Sequence, residues 1–273
     1  MGRADGLALR FVRSWDDRSG ARYAELELSI DGQRHFAIAW RLQDTVEVDL
    51  TSIDRSVTPG AGAGLVEGIL VRLQPAPLCA GASRLRLRMP AGWIDHVQGG
   101  AAAPANLRSL FVCDKPPLIR SVKHNLKLIP VSELGRGRFM GLFKEVMSSE
   151  SLGLQSQLDI NRLAKSLWRN APIEGVESYQ GFAVLDEDVP IALFFTNANP
   201  EGGARLGFAG LVPRVRRSRL AAAATGCAVE HLRQVGAFPI TMEIDTANGR
   251  SLRMAERRCG PVRSLVAVYD WPV

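Results

Sequence analysis

The sequence predicts an α+β protein in which a small all-β module precedes a mixed-sheet domain. Three observations support this prediction. Residues 1 to about 112 contain short runs with period-two alternation, whereas strand and helix patterns follow one another from His124 onward. The stretch from Ala204 to Gly260 is typical of strand, basic turn, helix, strand and helix. Two prolines follow Lys115, so we place the domain boundary there, giving domains 1–115 and 116–273.

The first domain contains six runs that favour strands with turn signals between them, as in a small sandwich or barrel. The glycine-rich segment Gly60–Gly64 lacks the lysine and the serine or threonine of a phosphate loop, and we interpret it as a plain loop. The predicted strands are Leu7–Val12, Arg22–Ile30, Arg34–Leu42, Thr45–Leu50, Val66–Leu73 and Arg84–Met89.

The second domain begins with a predicted strand, Leu126–Val131, and a helix from Ser132 to about Met147. A second helix with Ile160, Leu163 and Leu167 on its apolar side follows, capped by Ser156 or Asp159. The remaining predicted elements are a hairpin (Tyr179–Leu185 and Val189–Asn197), strands Ala204–Val212 and Pro239–Ile244, a helix between them, a helix opened by Asn248, and a last strand, Val262–Asp270.

Composition excludes several classes of protein. The 273-residue chain has 34 basic and 28 acidic residues, and all but five of the basic residues are arginine. These arginines are scattered among the acids, so the net charge of +6 does not predict a nucleic-acid surface. The four cysteines form no CxxC pair, which argues against a zinc site or a disulfide framework, and we expect no metal.

The start of the chain lacks the apolar core of a signal peptide, and no apolar run is long enough to span a membrane. We therefore expect a cytoplasmic protein with no membrane partner. The sequence leaves open whether it forms a homodimer.

The basic turn after Val212 is the strongest site in the sequence. Pro213 is followed by Arg214, Arg216, Arg217 and Arg219 and then by an alanine-rich helix. Free N–H groups and the helix dipole both favour an anion at such a terminus, and we expect a pyrophosphate there.

The segment Val212-Pro213-Arg214-Val215-Arg216-Arg217-Ser218-Arg219-Leu220-Ala221 resembles the cofactor motif of the Gcn5-related N-acetyltransferase (GNAT) family, an acyl-CoA N-acyltransferase fold. Arg216 matches the motif's Arg/Gln, Ala221 matches its last small residue, and Arg219 replaces its central glycine. The spacing from Glu243 to Asn248 in the following strand and helix also resembles the family. The resemblance covers residues 124 to 273 and leaves the first domain unassigned.

This resemblance implies acetyl-CoA or another acyl-CoA as cofactor and direct acyl transfer to a small-molecule or peptide amine. It implies a Leu211 N–H that stabilises the oxyanion. The implied cofactor-binding residues are Ala209, Gly210, Leu211, Val212, Arg216, Arg217, Ser218, Arg219, Leu220, Ala221, Asn248 and Ser251.

An attacking amine must lose a proton, and Glu243 is the candidate general base, with Asp245 on the same strand face as the fallback. Many family members carry a general-acid tyrosine where this chain has Ala255, and Tyr179 and Tyr269 are weaker candidates for that role. Two alternatives remain open. One is a binding or regulatory protein with this fold, and the other is an enzyme that takes its acyl group from a carrier protein or an aminoacyl-tRNA.

Overall fold

The computed structural model describes residues 7–16, 22–30, 33–42, 44–53, 59–94, 97, 103–117, 125–148, 157–168, 180–199 and 202–270. The chain forms two compact units. The first unit consists of Met1–Leu110 together with Val262–Val273, and the second unit consists of Phe111–Pro261. The last strand of the chain therefore belongs to the first unit, although it follows the second unit in sequence.

The first unit is a mixed sheet with one long helix. Four strands run antiparallel in sequence order, a helix leads to a fifth strand that is parallel to the fourth, and the last strand of the chain lies between the fifth and sixth. The elements are β1 (Leu7–Asp16), β2 (Arg22–Ile30), β3 (Gln33–Leu42), β4 (Thr45–Asp49), α1 (Pro59–Leu73), β5 (Arg84–Pro90), β6 (Asn106–Cys113) and β12 (Ser264–Asp270). The last three residues of β6 already belong to the second unit.

The prediction of an all-β first module is wrong. Pro59–Leu73 is a helix, so the segment Gly60–Gly64 is helical and the predicted strand Val66–Leu73 does not exist. The reason is tertiary. Val66, Ile69 and Leu73 recur at helical intervals and are all buried in the core of the first unit, and this burial outweighs the low helix propensity of glycine. Strand β6 was not predicted.

The second unit is also a mixed sheet, and its described residues include five helices. Its strands β7 to β10 run antiparallel in sequence order, and a helix leads to β11, which is parallel to β10. The elements are β7 (Leu126–Pro130), α2 (Val131–Leu134), α3 (Arg136–Met147), α4 (Gln157–Trp168), β8 (Gln180–Asp186), β9 (Val189–Ala198), β10 (Ala204–Leu211), α5 (Arg219–Gln234), β11 (Ile240–Asp245) and α6 (Gly249–Cys259).

Most predictions for the second unit are confirmed, including the hairpin of β8 and β9 and the helix that begins after Asn248. The single helix predicted from Ser132 is instead two helices, because Gly135 has φ of 80° and interrupts the helical backbone. Ser156 lies outside the described residues. Within the described part of the chain, no helix combines the length and apolar character needed to cross a membrane.

The two units repeat one order of elements. In each, four antiparallel strands are followed by a helix and by a fifth strand that is parallel to the fourth. They differ between their first two strands. The second unit inserts α2 to α4 there, whereas the first unit has only residues 17–21. The mixed α+β class predicted for the second domain is thus confirmed, and the first unit, which was predicted to be all-β, is mixed as well.

Candidate functional site

The candidate site lies where β10 and β11 separate. These parallel strands pair only at Ala204–Leu206 with Ile240–Met242. Beyond that point β10 continues to Leu211 against β9, and β11 continues to Asp245 without pairing to β10. We call the space between residues 207–211 and 243–245 the β10–β11 gap. A gap between adjacent parallel strands leaves backbone donors and acceptors without strand partners, so a ligand can pair with them.

The closed end of this gap depends on a glycine. The Ala204 N–H donates to the Pro239 oxygen at 2.9 Å, which brings the start of β10 against the residue before β11. Gly203 has φ of 77°, and a Cβ at this position would lie 2.0 Å from the Pro239 oxygen. Only glycine allows this close approach of the two backbones. Sequence analysis did not single out Gly203, because its role exists only when the two strands meet.

The edge of β10 that faces the gap carries free backbone groups. The Val212 N–H donates to the Ile191 oxygen of β9 at 3.0 Å. Because direction alternates along an antiparallel strand, the N–H groups of Ala209 and Leu211 point away from β9, toward the gap. The Leu211 N–H, which is the predicted oxyanion donor, therefore points toward the gap.

Gly210 makes room for α3 rather than for a ligand. A Cβ on this residue would lie 2.2 Å from Cγ1 of Val146, which is a buried α3 residue. Phe208, on the same strand, has its ring 5.4 Å from the ring of Phe143 of α3. This face of β10 is therefore packed against α3 in the core of the second unit.

The turn that follows β10 ends in the N-terminus of α5. Ser218 caps the helix, since its Oγ accepts from the Ala221 N–H at 3.3 Å and donates to the Val215 oxygen at 2.6 Å. Arg217 has φ of 66°. Among the described residues, no partner is recorded for the N–H groups of Arg217, Arg219 and Leu220. Successive uncommitted N–H groups at a helix N-terminus form an anion site.

The four arginines of the turn divide into two functions. Arg214 forms an ion pair with Glu145 at 3.1 Å, and Arg216 donates to the oxygens of Leu211 and Val146, both at 2.9 Å. These two side chains therefore stabilise the scaffold. Arg217 and Arg219 are exposed, and the described part of the chain holds no recorded partner for either guanidinium. Arg219, in the place of the motif's glycine, is thus available to an anionic ligand.

Glu243 is the first residue of β11 beyond the paired segment, and it forms an ion pair with Arg205 of β10 at 2.8 Å. Its side chain is only 7% exposed. It points away from Met242, which packs with Leu232 of α5. Arg205 was not predicted as a site residue. Its position in the register, opposite Thr241, is what brings it to the carboxylate.

The fallback base, Asp245, has a structural contact. Its Oδ1 accepts from the Ala247 N–H at 2.8 Å in the turn between β11 and α6. Asn248 is the N-cap of α6, and its Oδ1 accepts from the Ser251 N–H at 3.2 Å. The amide nitrogen of Asn248 remains a donor for a ligand. The Ser251 N–H is committed to the cap.

No tyrosine of the described second unit occupies a general-acid position. Ala255 is buried in α6, and Tyr269 belongs to β12 of the first unit, where burial and Glu67 raise its pKa to about 12. Tyr179 lies outside the described residues. Burial also raises the pKa of the Cys227 thiol, which keeps it protonated and a poor nucleophile.

The described residues contain no group of three or more His, Cys, Asp or Glu side chains that could hold a metal ion. His231 of α5 packs its ring 4.4 Å from that of Phe182, and burial lowers its pKa, so it is neutral at pH 7.

The corresponding strand pair of the first unit has no gap. All five residues of β4 pair with β5, from Thr45 with Arg84 to Asp49 with Arg88. Arg88 also bridges the two strands, with Glu47 at 3.2 Å and Asp49 at 3.5 Å. The fold order is therefore repeated, but of these two strand pairs only β10 and β11 separate.

No protein-family model matches the chain, and no curated protein matches it. Among solved structures, a functionally unknown conserved protein from Staphylococcus epidermidis has a TM-score of 0.56 at 8% identity, with 86% of this chain and 91% of that chain covered. At this identity the similarity concerns the fold alone.

Two further solved structures are acetyltransferases by name. A GCN5-related N-acetyltransferase from Sphaerobacter thermophilus has a TM-score of 0.47 at 13% identity, covering 89% of this chain and 79% of that chain. A GNAT-family acetyltransferase from Colwellia psychrerythraea has a TM-score of 0.48 at 8% identity, covering 91% of this chain and 85% of that chain. TM-scores this low do not establish a shared fold.

Proposed function

We propose that the second unit is an N-acyltransferase that uses acetyl-CoA or another acyl-CoA. The observation that carries this proposal is the β10–β11 gap, with a helix N-terminus rich in free N–H groups at the end of the turn that follows β10. An elongated ligand with an amide-containing arm and a pyrophosphate fits such a site, because the arm pairs with strand backbone and the pyrophosphate meets the helix terminus.

The backbone supplies binding and orientation. The N–H and C=O groups of Ala209 would pair with the arm, while the N–H groups of Arg217, Arg219 and Leu220 would bind the pyrophosphate. Arg217 and Arg219 add two exposed cations to this helix terminus. The Asn248 amide nitrogen would donate to the arm from the β11 side.

The chemistry requires an amine nucleophile and a stabilised oxyanion. The amine nitrogen forms a bond to the acyl carbon as the C–S bond breaks, the amine proton passes to Glu243 directly or through water, and the thiolate takes a proton from solvent. The Leu211 N–H would stabilise the oxyanion, a contribution of ~3 kcal/mol for one such donor. Arg205 would hold the Glu243 carboxylate at the start of the gap.

The proposal is tested by calorimetric titration of acetyl-CoA into the purified protein, followed by thiol release with a panel of amines. Saturable binding with turnover of at least one amine is expected. If neither coenzyme A nor any acyl-CoA binds, the proposal is wrong.

The second candidate function is a protein that binds acyl-CoA without transferring the acyl group. Two observations favour it: Ala255 at the tyrosine position, and the commitment of the Glu243 carboxylate to Arg205. Saturable binding with no thiol release across the amine panel would support this alternative, whereas turnover of one amine would eliminate it.

A further inference from the structure

Helix α6 presents an exposed face made almost entirely of arginine. With about 3.6 residues per turn, this face lies opposite the side of the helix formed by Leu252, Ala255 and Cys259. At its centre is Met254, a large apolar side chain that is 47% exposed. The exposed arginines around it are Arg250, Arg253, Arg257 and Arg258.

These four arginines make no recorded polar contact with the described residues of the chain. Among the described residues, no ion pair or side-chain hydrogen bond is recorded for any of the four, and Glu256 is the only acid in α6. By contrast, three other arginines of the second unit, Arg205, Arg214 and Arg216, all have partners. A dense group of uncommitted arginines around an exposed methionine is typical of an interface with an acidic protein, in which an apolar centre is ringed by charge.

The position of α6 relates this face to the candidate site. Because β10 and β11 are parallel, their carboxyl ends lie at the same edge of the sheet, and both α5 and α6 begin after that edge. The anion site at the start of α5 and the first turn of α6, which carries Arg250, therefore lie at the same edge of the second unit.

We propose that the arginine face of α6 docks an acidic carrier protein whose acyl group is attached through phosphopantetheine. This rests on the proposed function, because phosphopantetheine is the same arm that the β10–β11 gap would take from coenzyme A. The reaction is then the one described above, with the carrier thiol as leaving group: the C–N bond forms, the C–S bond breaks, and the thiolate is protonated by solvent.

The dimensions of the face favour a protein over a small ligand. Arg250 and Arg257 are separated by about 10 Å along the helix axis, at about 1.5 Å per residue, which is more than one phosphate group can contact. The exposed methionine favours a protein over a nucleic acid, because a phosphodiester backbone offers no apolar partner for Met254.

The test uses a holo acyl carrier protein and its apo form, which lacks the arm. Binding is measured by fluorescence anisotropy to the wild-type chain, to Arg253→Glu/Arg257→Glu, and to a matched control, Arg136→Glu/Lys144→Glu, which makes the same charge change on α3. We expect the α6 variant to weaken binding of both forms at least tenfold and Met254→Ala to weaken it about threefold. The control should bind as the wild type does.

Acetyl-CoA titration separates this inference from the proposed function. The α6 variant should bind acetyl-CoA with the wild-type affinity, because Arg253 and Arg257 are not among the residues proposed to contact it. If the wild type binds acetyl-CoA but not the carrier protein, the docking inference is wrong and the proposed function stands. Equal weakening by the control, or tighter binding of single-stranded RNA than of carrier protein, would also overturn the docking inference.

Discussion

Arg205 and Glu243 form a 2.8 Å ion pair across β10 and β11 at the point where these strands stop pairing. The guanidinium holds the carboxylate at the closed end of the gap. The candidate base is therefore fixed in place by the neighbouring strand.

Replacing Glu243 with Gln should lower kcat by ~10²–10⁴-fold while acyl-CoA binding is retained, because the amide cannot accept the amine proton. Asp245→Asn is the control, since its side-chain oxygen can still accept from the Ala247 N–H. Steady-state kinetics measures the loss of kcat, and calorimetry measures the acyl-CoA affinity. A Glu243→Gln enzyme with wild-type kcat would remove Glu243 from the mechanism.

The arginines of the turn should separate into ligand-binding and structural residues. Arg217→Ala and Arg219→Ala should each weaken acyl-CoA binding about tenfold, as expected for one lost charge-assisted contact of ~1.5 kcal/mol. They should leave the thermal midpoint nearly unchanged. Arg216→Ala should instead lower the free energy of unfolding, because its hydrogen bonds to Leu211 and Val146 are lost. A loss of stability in the Arg217 and Arg219 variants, with stability unchanged in the Arg216 variant, would contradict this assignment of binding and structural residues.

Gly210→Ala should destabilise the second unit by ~1–3 kcal/mol, because the new methyl group would overlap Val146. Adding Val146→Ala should restore part of the loss. Gly203→Ala offers no such rescue, since its methyl group would meet the Pro239 backbone oxygen. Denaturant unfolding of the wild type, of Gly210→Ala, of Val146→Ala and of the double variant gives the coupling energy between positions 146 and 210. Full additivity at positions 146 and 210 would show that the two side chains do not meet.

Asn248 should combine two functions that substitutions can separate. Asn248→Ala should cost ~0.5–2 kcal/mol of stability, because α6 loses its cap. Asn248→Asp keeps an oxygen acceptor for the Ser251 N–H but removes the amide donor. We expect this variant to fold normally and to bind acyl-CoA more weakly, which unfolding curves and calorimetry will check. Unchanged affinity would place the ligand elsewhere.

One molecule of acyl-CoA should bind per chain, although the element order occurs twice. Every residue of β4 pairs with β5, and Arg88 spans the two strands, so this strand pair offers no equivalent gap. Native mass spectrometry with excess acetyl-CoA should detect a single added ligand. A second ligand of similar affinity would show that the paired strands β4 and β5 can separate.

The sequence by itself determined most local features. Alternation predicted β2, the turn between Leu185 and Val189 predicted the β8–β9 hairpin, and Asn248 was predicted to open α6. These features depend on neighbours a few residues apart, so the order of residues is sufficient to predict them.

The tertiary structure decided what depends on distant partners. Helix α1 forms because Val66 and Ile69 are buried in the core of the first unit. The glycine-rich sequence of this segment does not predict that burial. Arg216 is structural and Arg219 is exposed because their surroundings differ, although their residue type is the same. The gap itself exists only because β10 and β11 pair at their first residues and then separate, and no pattern within either strand encodes that register.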